Sequence, residues 1–168
     1  YSFSRLAGTL HRPFDREDPA EDPRTRNVDA RGLGTLVHAV LAAADHRGAP
    51  DYASLVALHS ERHLPPGSAE IATAVELLQR FAGSARARQL AQASELHVEV
   101  EFLLAWPPDA GSHKTVISGY LDLLYQDVAG DWHILDFKSN QIGKQGPAHT
   151  AAGYEMQMLL YGLAAERI

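Results

Sequence analysis

The sequence predicts an α/β (α+β) domain in which helices flank a central sheet. Two observations predict this class. Apolar residues recur at helical spacing in the first half of the chain, and alternating runs rich in strand-forming residues follow after Ala93. With 168 residues, 45% hydrophobic and 21% charged, the chain suits one folded domain with its own core. We therefore expect a single domain over residues 1–168.

The first half of the chain predicts three helices. Before them, residues 12–31 mix opposite charges with three prolines and carry no apolar period, so we expect a flexible loop there. From Gly32 an apolar stripe follows the period of a helix. Its members are Leu33, Leu36, Val37, Val40, Leu41 and Ala44. Two further helices are predicted from Asp51 and from Ser68, both suitable N-caps, and Gly83 is a suitable end for the second.

The second half predicts three strands and a closing helix. The strand-like runs are residues 95–106, 114–127 and 131–139. The last two are separated by the turn sequence VAGD, so we expect them to be antiparallel neighbours. Residues 150–168 then return to helical spacing. The expected architecture is a three-stranded β-meander packed against helices.

Composition narrows the function classes. The net charge of −6 argues against an independent high-affinity nucleic-acid binder, but not against an enzyme whose DNA is delivered by neighbouring domains. The absence of cysteine excludes disulfides, zinc–thiolate sites and iron–sulfur clusters, and it fits a reducing cytoplasm. No apolar run approaches the ~20 residues that span a bilayer, so no membrane partner is expected. The chain opens without a methionine and stops inside a predicted helix, so we expect a domain excised from a longer protein.

Three ionisable side chains, Asp122, Asp136 and Lys138, lie in otherwise apolar strand-like runs. Asp136 and Lys138 are two residues apart and project from one face of a strand, with Asp122 in the partner strand. Buried charges cost free energy unless they are paired or bind something. Two close carboxylates favour Mg²⁺ or Mn²⁺, and a nearby ammonium stabilises charge developing on a phosphate. Metal-assisted phosphodiester hydrolysis and a purely structural salt bridge explain these three residues equally well.

Five motifs extend the pattern along the chain. In order they are GTLVH, VEVEF, GYLDLL, ILDFKSNQIG and YEMQMLLYG. Their order and spacing resemble the RecB-like nucleases of the PD-(D/E)XK superfamily, particularly the C-terminal nuclease domains of RecB and AddA helicase–nucleases. The resemblance covers nearly the whole chain, and the opening YSFSRL is similar to the SxS-type start of that family. It implies a restriction-endonuclease-like core with a central mixed sheet.

The resemblance also implies a role for each matching residue. His38, Asp122 and Asp136 would bind the metal ion, together with the backbone carbonyl of Phe137. Lys138 would be the catalytic lysine, and both aspartates would count as catalytic.

Further matching positions would support the site or contact DNA: Gln157, Tyr161, Glu99, Ser2 and Ser4. Glu99 matches the acid of the ExPF-like strand of the family, while Glu101 stands where that pattern has proline. Gln157 and Tyr161 lie one helical turn apart and so share a face, which ordinary amphipathic packing would also explain.

The function implied by the resemblance is a Mg²⁺-dependent DNA exonuclease, with Mn²⁺ as a possible substitute, in double-strand break repair or recombination. Its DNA would be single-stranded and delivered by helicase domains of the same chain, within a complex of further subunits in the bacterial cytoplasm. The alternative is a catalytically inactive domain that guides DNA or supports a helicase complex.

Overall fold

The computed structural model describes residues 23–106, 115–138, 149 and 151–167, and for residues 23–30 the backbone alone. Within these ranges the chain forms five α-helices and one three-stranded sheet. In chain order the elements are α1 (Pro23–Ala43), α2 (Tyr52–Ser60), α3 (Ala69–Ala82), α4 (Ala85–Ala91), β1 (Glu95–Trp106), β2 (Thr115–Gln126), β3 (Trp132–Leu135) and α5 (Glu155–Ala165). The mixed helix and strand content predicted from the sequence is therefore confirmed.

Helix α1 begins at Pro23 rather than at Gly32, so residues 23–31 are helical where a flexible loop was predicted. Proline suits the first position of a helix because the N–H it lacks would have no helical partner there. The prediction rested on the missing apolar period, but a helix formed in a packed segment extends readily into polar sequence. Residues 12–22 of the predicted loop lie outside the described residues.

The helix ends follow local capping chemistry. The Asp51 carboxylate accepts a hydrogen bond of 3.1 Å from the backbone N–H of Ser54, as expected of an N-cap. Ser68 and Gly83 bound α3 as predicted, although the Ser68 side chain makes no capping bond. Helix α4 was not predicted, because its seven residues are too short to show an apolar period.

One apolar core lies between α1, α2 and α3, which together form the helical layer. The apolar stripe predicted on α1 is buried there, apart from the partly buried Leu33. Its main partners on the other two helices are Tyr52, Val56, Ala74 and Leu78. Phe137, which follows β3, also packs against this core and so links the helical layer to the sheet.

The sheet has the order β1-β2-β3 with both pairs antiparallel, and the described residues contain no parallel pair. Strand β3 pairs with β2 from Trp132 to Leu135 only. Asp136 and Lys138 therefore follow the strand, whereas the sequence analysis placed them inside it. The ladder ends at Leu135, and Asp136 and Lys138, which follow it, pair with each other.

Strand β1 is irregular at Glu99. Its neighbours Val98 and Val100 pair with Leu123 and Leu121 of β2, but Glu99 itself is skipped. Glu99 has a φ of 52°, in the left-handed region that residues other than glycine rarely adopt. Side chains of β1 before Glu99 pack in a cluster with α4, and those after it pack in a cluster with α5. Glu99 thus lies between the part of β1 that packs with α4 and the part that packs with α5.

The helices in the described part of the chain include none with the length and apolar character needed to cross a membrane.

Candidate metal centre

Three side chains from three elements converge at the irregular point of the sheet. His38 of α1, Glu99 of β1 and Asp122 of β2 each offer one ligand atom, and these atoms all lie within 4.8 Å of one another. His38 Nδ1 is 3.4 Å from Asp122 Oδ1. An imidazole nitrogen grouped with carboxylate oxygens is a donor set that divalent cations accept.

The Asp122 carboxylate is oriented from both sides. Its Oδ1 faces His38, and its Oδ2 accepts a hydrogen bond of 2.6 Å from the backbone N–H of Phe137. The Phe137 ring packs edge-on to the His38 ring, with 6.5 Å between centroids. Hydrogen bonding to Asp122 raises the pKa of His38, against the opposing effect of burial. Phe137, in the segment after β3, therefore contacts both His38 of α1 and Asp122 of β2.

Glu99 belongs to the same electrostatic environment. Loss of water around its carboxylate raises the pKa of Glu99, and the charge of Asp122 adds to that effect while His38 opposes it. Two carboxylates that repel each other beside an imidazole are stabilised by a cation placed between them.

A second group, next to the first, contains Asp136 and Lys138. The Asp136 side chain is 7% exposed, and its Oδ2 lies 2.5 Å from Lys138 Nζ. Its Oδ1 accepts a hydrogen bond of 3.3 Å from Gln157 Nε2, and that amide also donates to the Tyr161 hydroxyl at 2.6 Å. Burial raises the pKa of Asp136, although the Lys138 ammonium opposes the shift. Helix α5 thus holds this buried carboxylate through Gln157.

The two groups adjoin each other. The pairing of Leu123 with Leu135 brings Asp122 and Asp136 to adjacent positions just where β2 and β3 part. The Asp122 charge contributes to the raised pKa of Asp136. Asp136 adjoins the group of three without belonging to it, and its two oxygens contact Lys138 and Gln157.

The model of the PD-(D/E)XK nuclease superfamily matches residues 5–168 of the chain. The chain belongs to the PD-(D/E)XK nuclease superfamily. No curated protein matches it. The superfamily expected from the five motifs is confirmed, whereas its RecB and AddA branch stays a prediction.

PD-(D/E)XK nucleases typically depend on a divalent metal ion, and the residues of this chain fit one. His38, Glu99 and Asp122 supply one nitrogen and two oxygen ligands within reach of a single ion, and Asp136 adjoins them. These donors suit Mg²⁺ or Mn²⁺, since oxygen ligands predominate.

Most of the residues that the sequence analysis assigned to the PD-(D/E)XK site lie together in this region. Eight of them form the contacts described above: His38, Glu99, Asp122, Asp136, Phe137, Lys138, Gln157 and Tyr161. The contact from Phe137 to Asp122 runs through the backbone N–H, while its carbonyl was the predicted ligand. Ser2 and Ser4 lie outside the described residues.

The sequence did not predict two features of this candidate site. Glu99 had been given a supporting role, but it lies in the group with His38 and Asp122. Tyr154 had been given no role, yet its ring centroid is 4.9 Å from Lys138 Nζ. The available signal for Tyr154 was its spacing of three residues before Gln157, which puts both on one helical face.

Proposed function

We propose that this PD-(D/E)XK protein is a Mg²⁺-dependent DNA exonuclease that hydrolyses phosphodiester bonds, with Mn²⁺ able to replace Mg²⁺. The observation that carries the proposal is the convergence of His38, Glu99 and Asp122 within 4.8 Å of one another, beside the Asp136–Lys138 pair. A purely structural salt bridge would need only the pair, and it would leave the adjoining imidazole and carboxylates unexplained.

In this proposal His38, Asp122 and Asp136 hold the metal ion, with the Phe137 carbonyl as a further oxygen ligand and Glu99 in reach of the same place. A bound divalent cation would supply charge stabilisation at the scissile phosphate.

Lys138 is the catalytic lysine of the proposal. Its ammonium orients the attacking water and stabilises the negative charge that develops on the phosphate. Its side chain is 30% exposed, so it can reach a substrate while its neighbour Asp136 stays buried. Gln157 fixes one oxygen of Asp136, and Tyr161 fixes Gln157, so the acid beside Lys138 is held before DNA arrives.

We further propose that the substrate is single-stranded DNA delivered by helicase domains of the same chain, in a complex with further subunits. The order and spacing of the five motifs support this, because they resemble the RecB and AddA nuclease domains. The net charge of −6 supports it too, because an acidic domain attracts DNA poorly and benefits from a partner that supplies the strand. The corresponding process is DNA double-strand break repair or recombination.

Cleavage of end-labelled single-stranded and duplex DNA, with Mg²⁺, Mn²⁺ or EDTA, tests the proposal. We expect shortening of single strands from an end with either cation and none with EDTA. Asp122→Asn and Lys138→Ala should each lower turnover by about 100-fold or more, because the first removes a charged ligand of the metal ion and the second removes the ammonium that stabilises the phosphate.

Asp131→Asn is the matched control, since Asp131 is an exposed acid in the turn between β2 and β3. It should cleave like the native protein. Native activity in the Asp122 or Lys138 variant would refute the assignment. DNA binding without cleavage under every cation would instead favour an inactive DNA-guiding domain.

A further inference from the structure

The contact between Lys138 and Tyr154 has no role in the proposal so far. We propose that Tyr154 is a positioning residue, which holds the Lys138 ammonium over the face of its ring. The inference rests on the proposed nuclease function. Lys138 Nζ lies 4.9 Å from the ring centroid, within the ~6 Å over which a ring face attracts a cation.

The N-terminal turn of α5 holds both members of the Asp136–Lys138 pair. Gln157 donates to Asp136 Oδ1 at 3.3 Å, and Tyr154, three residues earlier, lies under the ammonium of Lys138. Residues three apart share a helical face, so one turn of the helix contacts both the acid and the lysine. This arrangement couples the two contacts and makes the Tyr154 ring part of the same support.

The position of Tyr154 in the helix gives independent support. Tyr154 is the N-cap residue of α5, and its side chain makes no capping bond. Serine, threonine, aspartate and asparagine are preferred at that position because their oxygens accept from the free N–H groups of the first turn. A tyrosine forgoes that stabilisation, so its presence is not explained by the start of the helix. The contact with Lys138 needs an aromatic ring, which none of the preferred N-cap residues provides.

A ring face suits this task better than a second carboxylate would. The Asp136 carboxylate accepts a hydrogen bond from the ammonium, so each carboxylate partner occupies at least one of its three N–H donors. An aromatic face attracts the charge as a whole and leaves N–H donors available for a phosphate oxygen or a water. A lysine side chain also has many rotamers, so holding it beforehand removes an entropic cost from the reaction step.

The test compares Tyr154→Leu, which removes the ring face, with Tyr154→Phe, which keeps it and removes only the hydroxyl. In steady-state cleavage of single-stranded DNA with Mg²⁺, we expect Tyr154→Leu to lower kcat by about 3- to 30-fold, the range that a cation–ring contact supplies. KM should change by less than about twofold, because the contact acts through Lys138 and not through DNA binding. Tyr154→Phe should restore most of kcat.

A second measurement needs neither activity nor metal. In the metal-free protein, the ring current of residue 154 should shift the ε-methylene protons of Lys138 upfield in NMR spectra of the native and Tyr154→Phe proteins. The shift should be lost in Tyr154→Leu. Met156→Leu is the control, since Met156 lies in the same helical turn and is 57% exposed. Melting curves check the fold, and Tyr154→Met replaces the leucine variant if that one does not fold.

The outcomes separate the two proposals. A native kcat in Tyr154→Leu would overturn the positioning role, as would equal losses in the Leu and Phe variants or an effect confined to KM. Absence of cleavage by the native protein would overturn the nuclease function, and with it the expected effect of Tyr154 on kcat. The NMR shift would still decide whether the ring holds the lysine.

Discussion

Glu99 combines an unusual backbone with a place among the candidate ligands. A non-glycine residue at a φ of 52° carries strain on the order of 1–3 kcal/mol, which persists only when its surroundings enforce it. The strand pairs regularly on both sides of Glu99, so the ladder alone does not require the irregularity. The strain falls at the residue of β1 whose carboxylate lies with His38 and Asp122. We interpret it as the consequence of directing that carboxylate to the candidate metal centre.

Replacement of Glu99 by glutamine should therefore weaken cation binding. We expect Glu99→Gln to lower the affinity for Mn²⁺ by at least about tenfold, because an amide oxygen is a poorer ligand than a carboxylate and loses its charge. Calorimetric titration of the metal-free protein without DNA measures this directly. Glu101→Gln is the control, since Glu101 is an exposed acid two residues along the same strand. Equal affinities in the two variants would exclude Glu99 from the ion.

The residues of the site differ in how far sequence could predict them. Asp122, Asp136 and Lys138 stand out because charge is rare in apolar strand-like runs, and this is a local signal. His38 is an unremarkable histidine at the edge of a helix stripe until the order of the five motifs is considered. The grouping of Glu99 with His38 depends on strand register and on a left-handed backbone, and neither is encoded by a short pattern.

At the scale of elements, α5 connects the apolar cluster around Phe102 to Asp136 through a series of contacts. Phe102 of β1 packs edge-on against Tyr161, with 5.7 Å between ring centroids. Tyr161 accepts a hydrogen bond from the Gln157 amide, which also donates to Asp136. Phe102 in turn lies over Gly119 of β2, its partner in the ladder. A Cβ at Gly119 would come within 2.7 Å of Phe102 Cζ. Gly119 therefore makes room for the ring on which α5 rests.

Gly119→Ala should displace Phe102 and lower the free energy of unfolding by about 1–3 kcal/mol, the usual cost of overpacking. Urea unfolding in EDTA measures it without interference from metal. Gly162→Ala in α5 is the matched control, because a Cβ there meets nothing within 4 Å. That variant should be neutral or more stable by up to about 1 kcal/mol, since alanine favours helix over glycine. If the two variants were equally stable, the Phe102 ring could move aside freely.

Element boundaries were predictable where the signal is local. Asp51 and Gly83 bound helices as expected because capping depends on the residue itself and on the neighbouring turn. The short length of β3 was not predictable. Asp136 and Lys138, which follow it, contact Gln157 and Tyr154 of α5, and these partners are distant in sequence. Helix α1 reached back to Pro23 for a similar reason, since extension of a packed helix does not require an apolar pattern.

At the scale of the whole molecule, the helical layer contains a buried titratable group apart from the candidate metal centre. His46 follows α1 and is 5% exposed. Its Nε2–H donates to the backbone carbonyl of Leu41 at 2.8 Å, and its ring packs edge-on to Phe81 of α3 at 6.3 Å. Burial lowers the pKa of His46, while the bond to Leu41 and the charge of Asp45 oppose the shift. The neutral ring is therefore the form that the folded protein accommodates.

This burial should make stability fall with acid in a defined window. Because the folded-state pKa of His46 lies below 6.5, the unfolded chain binds the proton first as pH drops through 6.5. The free energy of unfolding should then decrease below pH 6.5 until the folded pKa is reached, by at most about 1.4 kcal/mol per pH unit.

His46→Gln keeps an N–H donor for Leu41 but does not titrate, so its stability should fall less. Subtracting the two urea-unfolding profiles between pH 7.5 and 5 cancels the other titrating groups, including His38, whose raised pKa acts in the opposite direction. Parallel profiles would show that protonated His46 is tolerated in the folded helical layer.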